Sequence, residues 1–135
     1  MRAVLDPNIL TAALLSASGA SARLVGRWLA GAFELVVSEA LLCELERALA
    51  YPKLRQRVSA EEAAEFVGLL RAGAVDAPDP PDPPRRSPDP GDDHLLALAE
   101  RGRALLVTGD QHLLALAHEF PIHTARALLD QLAND

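Results

Sequence analysis

From Ala104 to Asp110 the chain reads ALLVTGD. The apolar run Ala104 to Val107 follows a helix-ending glycine, Gly102, and reads as a buried strand with an acid placed just beyond its carboxyl end. The N-terminus has the same design. Arg2 to Leu5 (RAVL) is a short strand that runs directly into Asp6. In open α/β sheets, functional sites form outside the carboxyl ends of the strands. Two acids delivered there by two strands are the first sign of chemistry.

Working outward, helical and strand patterns alternate. Asn8 to Ser16 and Ala20 to Ala30 read as helices, broken by Ser18 and Gly19 and stopped at Gly31. Phe33 to Val37 reads as a second strand. Ser38 is placed to cap a helix over Glu39 to Ala50, ended by Pro52. Ser59 and Glu62 form a capping-box pattern for a helix to Arg71, closed by Gly73. Ala74 to Asp76 reads as a short strand. Residues 77–91 (APDPPDPPRRSPDPG) hold seven of the ten prolines. So many fixed φ angles and missing N–H donors predict an extended polyproline-II-like loop. Beyond it come a helix from Asp92 to Arg101, the Ala104 strand, a helix over Gln111 to His118, an edge strand at Pro121 to His123, and a helix over Ala125 to Leu132. The order predicts one domain over residues 1–135: a three-layer α/β/α sandwich with a mainly parallel sheet.

Composition narrows the function. Half of the 135 residues are apolar, enough for a sizeable core. The single cysteine, Cys43, excludes an internal disulfide and suits a reducing compartment. No charged-then-apolar leader and no membrane-length apolar run stand out, so the expected location is the cytoplasm. A net charge of −6 argues against coating nucleic acid with the whole surface, yet is compatible with acids concentrated in one site. No phosphate-binding glycine loop is present, and the four histidines and lone cysteine lack zinc spacing.

Each acid has an ordinary explanation. Asp6 suits a turn beside Pro7 and Asn8. Asp92 and Asp110 suit helix capping. Glu44 lies at the border of the apolar stripe of Leu41, Leu45, Ala48 and Leu49, where a carboxylate either reaches solvent or needs a partner. Together they form a pattern: two acids end strands, one starts a helix, and one borders the core. Four carboxylates brought to one sheet edge would repel one another. Divalent cations resolve that repulsion, and oxygen ligands suit Mg²⁺ or Mn²⁺.

Read in order, D-x-N at Asp6 and Asn8, S-E-x-L-x-x-E-L from Ser38 to Leu45, DPGDDHLLALA from Asp89 to Ala99 and LVTGD from Leu106 to Asp110 resemble the PIN-domain family. They are most similar to the branch of toxin components of toxin–antitoxin systems related to VapC-like toxins, and the resemblance runs from Arg2 to about Leu129. It implies an endoribonuclease with an acidic site for Mg²⁺ or Mn²⁺, made of Asp6, Glu44, Asp92 and Asp110. Asn8 and Thr108 match supporting polar positions, Asp93 an accessory one, and Asp89 a turn. A toxin implies an antitoxin protein, and the resemblance also implies a homodimer or higher oligomer, for which residues 8–30 offer an apolar surface. Arg85 and Arg86, on the loop leading to Asp92, are candidate phosphate contacts. One departure stands out: Pro7 replaces the small polar residue usual between the first Asp and Asn, which removes an N–H beside Asp6.

Two other readings compete. An aspartate-nucleophile phosphotransferase would need an acid where Asn8 stands and a well-placed lysine, and Lys53 is the only lysine. A catalytically weak metal- or RNA-binding scaffold would account for Pro7; the presence of all four acids favours retained metal binding, and an RNA-cleavage assay separates it from an enzyme.

Overall fold

The computed structural model describes residues 1–134. Five short strands form one all-parallel sheet: β1 (Arg2–Leu5), β2 (Glu34–Val37), β3 (Val75–Asp76), β4 (Leu105–Val107) and β5 (Ile122–His123), in the order β3-β2-β1-β4-β5. β1 is central because its RAVL run is apolar on both faces; Ala3, Val4 and Leu5 are essentially inaccessible. Parallel neighbours need crossovers, and helices supply them. Right-handed crossovers put the helices between β1 and β3 on one face and those between β3 and β5 on the other, which gives the α/β/α layering.

The first crossover is α1 (Pro7–Leu15) and α2 (Ala20–Leu29), and the second contains α3 (Glu39–Leu49), α4 (Pro52–Arg55) and α5 (Ala60–Gly73). α1 touches both α2 and α3. The long return connection carries α6 (Pro90–Arg101), which packs on β1 and β4. There Gly102 passes so close to Val36 of β2 that an added Cβ would sit 3.3 Å from a Val36 methyl. α7 (Gln111–Leu114) leads to edge strand β5, and α8 (Ala125–Ala133) returns to pack on α2. One apolar core joins the layers, with Leu10, Leu24, Leu45, Leu98 and Leu128 fully buried.

Local chemistry sets most boundaries. Ser38 Oγ accepts from Leu41 N and starts α3. Ser59 and Glu62 form the reciprocal capping box of α5. Residues 77–89 carry no helix or strand, in line with their proline content. Several boundaries differ from those read in the sequence, most by a single residue, and three of them for a clear physical reason. Pro52 does not merely end α3; it opens the short α4, because proline at a first helical position gives up an N–H that has no helical partner anyway. α6 starts at Pro90 rather than Asp92 for the same reason, with Asp89 as its cap. α7 stops at Leu114, not His118. From Leu116 to Glu119 the chain turns through three-residue hydrogen bonds, which deliver Pro121 and Ile122 to the edge of β4.

Candidate active site

The strand order reverses at β1: β2 and β3 extend to one side, β4 and β5 to the other. The carboxyl ends of β1 and β4 therefore border the crevice that a doubly wound sheet leaves at its switch point. Asp6 ends β1 there. Its backbone N–H extends the ladder to Val107 O at 2.9 Å, and its side chain is turned into the protein, 6% exposed. One carboxylate oxygen accepts from Asn8 N (3.0 Å) and caps α1; the other accepts from the Thr108 hydroxyl (2.8 Å). Thr108, fully buried, also accepts from Asp110 N at 3.0 Å. One hydroxyl thus ties the acid after β1 to the acid after β4.

Pro7 fits this arrangement. It is the first residue of α1, where its missing N–H would have no helical partner, and the cap on Asp6 comes from Asn8. Proline also restricts the preceding residue to extended backbone, and Asp6 has φ −51° and ψ 139°.

The proline-rich loop and the first turn of α6 supply the opposite wall. Asp92 is 6% exposed, and its Oδ2 accepts from Ser87 Oγ at 2.8 Å. Asp93, 4% exposed, accepts from the backbone N–H groups of Arg86 and Ser87, both at 2.8 Å, and so pins the loop to the helix. Asp110 caps α7 by accepting from His112 N and keeps its side chain one-third exposed. Ser87, Pro88, Asp89, Asp92, Asp110 and His112 line an open groove of about 340 Å³.

Electrostatics link these acids. Burial pushes the Asp6 carboxyl above its usual range, partly offset by Asn8 and Thr108, and the charges of Asp110 and Asp89 push it further. Asp92 is raised by burial, against the Ser87 hydrogen bond, and again by Asp110, Asp89 and Asp6. Glu44 lies on the solvent side of α3, yet partial desolvation and the charge of Asp6 raise it, while Arg47 and His94 work in the opposite direction. The structure therefore brings Asp6, Asp92 and Asp110 into one electrostatic unit, with Glu44 at its margin.

A raised carboxyl is ionised at a cost to the fold. Asp6 and Asp92 have native pKa values above their unfolded ones, so they impose no penalty at low pH, and the penalty grows as pH rises from about 4 through the native values. In EDTA, Tm is expected to fall across this interval, and Asp92→Asn is expected to flatten that fall. A variant with the same pH profile as wild type would refute the coupling.

The Arg86 side chain points away from the groove. Its guanidinium pairs with Glu100 at 2.5 Å and lies over the Phe120 ring, 5.0 Å from the centroid, while its backbone N–H serves Asp93. Arg85 is exposed. Asn8 contributes its backbone N–H to Asp6, and its residue surface is open.

Two further groups have no clear signal in the sequence. Ser87 holds Asp92 from five residues upstream, inside a stretch that reads only as loop. Asp79, in the same loop, accepts from Ala40 N (3.1 Å) at the start of α3 and pairs with His94 of α6 (2.8 Å). It staples together the helices that carry Glu44 and Asp92; burial pushes its carboxyl up, but hydrogen bonding with Ser38, Ala40 N and His94 holds it below the usual range.

The donor chemistry fits a hard divalent cation: every candidate ligand is a carboxylate, and the two deepest are raised by burial and by like charges. Among the described residues, however, no three His, Cys, Asp or Glu side chains are gathered to grip one ion directly.

The model of the PIN domain matches residues 2–112, from the start of β1 into α7. The chain belongs to the PIN-domain family. This PIN domain therefore falls in a superfamily of nucleases that generally depend on divalent metals, which supports a nuclease role. Among solved structures it is similar to a protein from Pyrobaculum aerophilum, with TM-score 0.71 and 22% identity over 100% of this chain and 91% of the other. It is also similar to a PilT N-terminus domain protein from Sulfolobus solfataricus (TM-score 0.54, 16% identity, 98% and 93% covered). A domain of a functionally unknown protein from Methanocaldococcus jannaschii matches with TM-score 0.56 and 15% identity, covering 91% and 89%. At these identities the likeness is one of fold. No curated protein matches the sequence.

Proposed function

We propose that this PIN domain is an Mg²⁺- or Mn²⁺-dependent endoribonuclease, with Asp6, Asp92, Asp110 and Glu44 as its acidic centre. The observation that carries the reading is the pair of buried, raised carboxylates, Asp6 and Asp92, coupled to Asp110 beside an open groove at the switch point. A bound divalent ion would supply a water of lowered pKa and neutralise charge on the phosphoryl oxygens. The chain does the rest. Thr108 holds Asp6 and the backbone before Asp110 in register, and Ser87 orients Asp92. Asp110 and Glu44 are the more accessible acids, suited to orienting a water at the groove. Asp93 keeps the loop seated, and Arg85 is the loop cation free to meet a phosphate.

We also read the chain as the toxin of a toxin–antitoxin pair, working in the cytoplasm with an antitoxin protein as partner. No single helix is long and apolar enough to cross a membrane among the described residues. A homodimer would use α1 and α2, where Leu14 and Leu15 are only partly covered and Leu29 is 55% exposed.

A scaffold that binds metal or RNA without turnover is the second reading, because buried, raised carboxylates suit metal binding with or without cleavage. A mixed pool of single-stranded RNA, incubated with Mg²⁺, Mn²⁺ or EDTA, separates the two. Internal cleavage that needs metal is expected. Intact RNA in every metal, from folded protein whose Tm rises with metal, would establish the scaffold instead.

A further inference from the structure

The helices that carry Glu44 and Asp92 lie on opposite faces of the sheet, α3 in the crossover from β2 to β3 and α6 in the connection from β3 to β4. Among the described residues they make at most a marginal contact with each other. Packing of one helix on the other therefore does not fix how far apart the two acids stand. One side chain spans the gap. Asp79 Oδ2 accepts from Ala40 N in the first turn of α3 at 3.1 Å, and its Oδ1 pairs with His94 Nε2 of α6 at 2.8 Å. The hydroxyl of Ser38, the cap of α3, is a third partner.

Each arm of this bridge ends close to an acid. Ala40 is four residues before Glu44, on the same side of α3 and about 6 Å away along its axis. His94 is two residues after Asp92 and so on a different side of α6; the helix offers Asp92 to Ser87 at the groove and His94 to Asp79. His94 lies near enough to Glu44 for its charge to act there. Asp79 itself is stiffly mounted. It stands between Pro78 and Pro80, Pro80 is buried, and proline restricts the residue before it to extended backbone. A carboxylate so held gives up little conformational freedom when it makes the bridge.

We propose that Asp79 is a positioning residue of the acidic centre: by bridging the first turn of α3 to His94 of α6 it fixes the distance between Glu44 and Asp92, and Glu44 serves a divalent ion only while that bridge is closed. The proposal rests on the metal-binding part of the nuclease reading and does not require cleavage. Asp79 is no ligand in this scheme; it acts through Glu44.

The test is a calorimetric Mn²⁺ titration of full-length wild type, Asp79→Ala, Asp79→Asn, Glu44→Gln and the Asp79→Ala, Glu44→Gln double variant, each checked for folding by thermal melting. Asp79→Ala is expected to weaken Mn²⁺ binding about tenfold. Asp79→Asn removes the same charge but keeps an oxygen for Ala40 N and offers an N–H to His94, so it is expected to bind nearly as well as wild type. In the Glu44→Gln background Asp79→Ala is expected to weaken binding no more than about twofold, because a residue that acts through Glu44 then has nothing to place. His94→Ala opens the bridge from the α6 side while Asp79 still holds α3; it is expected to show the tenfold loss, and it keeps the test alive should Asp79→Ala fail to fold. Unchanged affinity when the bridge is opened would leave Asp79 a helix cap only. Equal losses with and without Glu44 would overturn its action through Glu44, and a loss in Asp79→Asn as large as in Asp79→Ala would make charge, not placement, the cause. If wild type binds Mn²⁺ and the losses appear but no RNA is cut in any metal, the Asp79 bridge stands and the nuclease reading falls. If metal-dependent cleavage is sound but Asp79→Ala binds Mn²⁺ as tightly as wild type, the reverse holds. Folded wild type that takes up no Mn²⁺ would overturn both.

Discussion

Asp92→Asn is expected to lower metal-dependent RNA cleavage by two to three orders of magnitude, on the order of what one preorganised charged or polar group contributes at a transition state. Asn preserves the shape of the side chain and leaves an oxygen for the Ser87 hydroxyl, which donates to Asp92 at 2.8 Å. The fold should therefore survive. Asp92 is a buried carboxylate already raised by burial, Asp110, Asp89 and Asp6. Removing its charge should leave the metal-free protein at least as stable as wild type near neutral pH, because the repulsion disappears with it. Metal should raise the Tm of wild type by several degrees at concentrations well above Kd, and raise that of the variant far less. Single-turnover cleavage and thermal melts with and without Mg²⁺ measure both effects. Undiminished cleavage by a folded Asp92→Asn protein would remove Asp92 from the site.

Thr108→Val is the second large effect. Its hydroxyl is fully buried, donates to Asp6 Oδ2 and accepts from Asp110 N. Valine fills the same volume but leaves both groups without that partner. Stability should drop by about 1–3 kcal/mol, the cost of stranding buried hydrogen-bonding groups. Metal affinity should drop roughly ten- to hundredfold, as when the group that orients a ligand is lost. Thr108→Ser keeps the hydroxyl and should restore most of the affinity, although it loses a methyl group from the core. Calorimetric metal titration of the three proteins decides the matter: unchanged affinity in Thr108→Val would reduce Thr108 to a turn residue.

The elements whose physics is local were legible in the sequence. The central strands are continuous apolar runs, Ser38 and Ser59 are recognisable caps, and the proline content of residues 77–89 leaves no alternative to loop. Boundaries that depend on packing were less so. α7 carries helical residues through His118, yet it stops at Leu114 because the chain must turn to place Ile122 beside Leu106. Arg86 reads as a free cation beside the site, but Phe120 and Glu100, distant in sequence, hold its guanidinium elsewhere. Ser87 and Asp79 show no motif at all, because each acts on a partner that only the folded loop brings near.

What the sequence by itself determined is where acids occur along the elements: after β1, after β4, at the start of α6 and on α3. Apolar periodicity and capping chemistry act over a few residues and are written in order. What only the tertiary structure decided is that these acids feel one another. The order β3-β2-β1-β4-β5 sets β1 beside β4, although about one hundred residues separate them, and so lets Thr108 reach Asp6. The depth to which Asp6 and Asp92 are buried has the same origin. Desolvation and Coulomb repulsion depend on distance through the folded protein rather than along the chain, and the raised carboxyls that mark the site exist only once the sheet has closed.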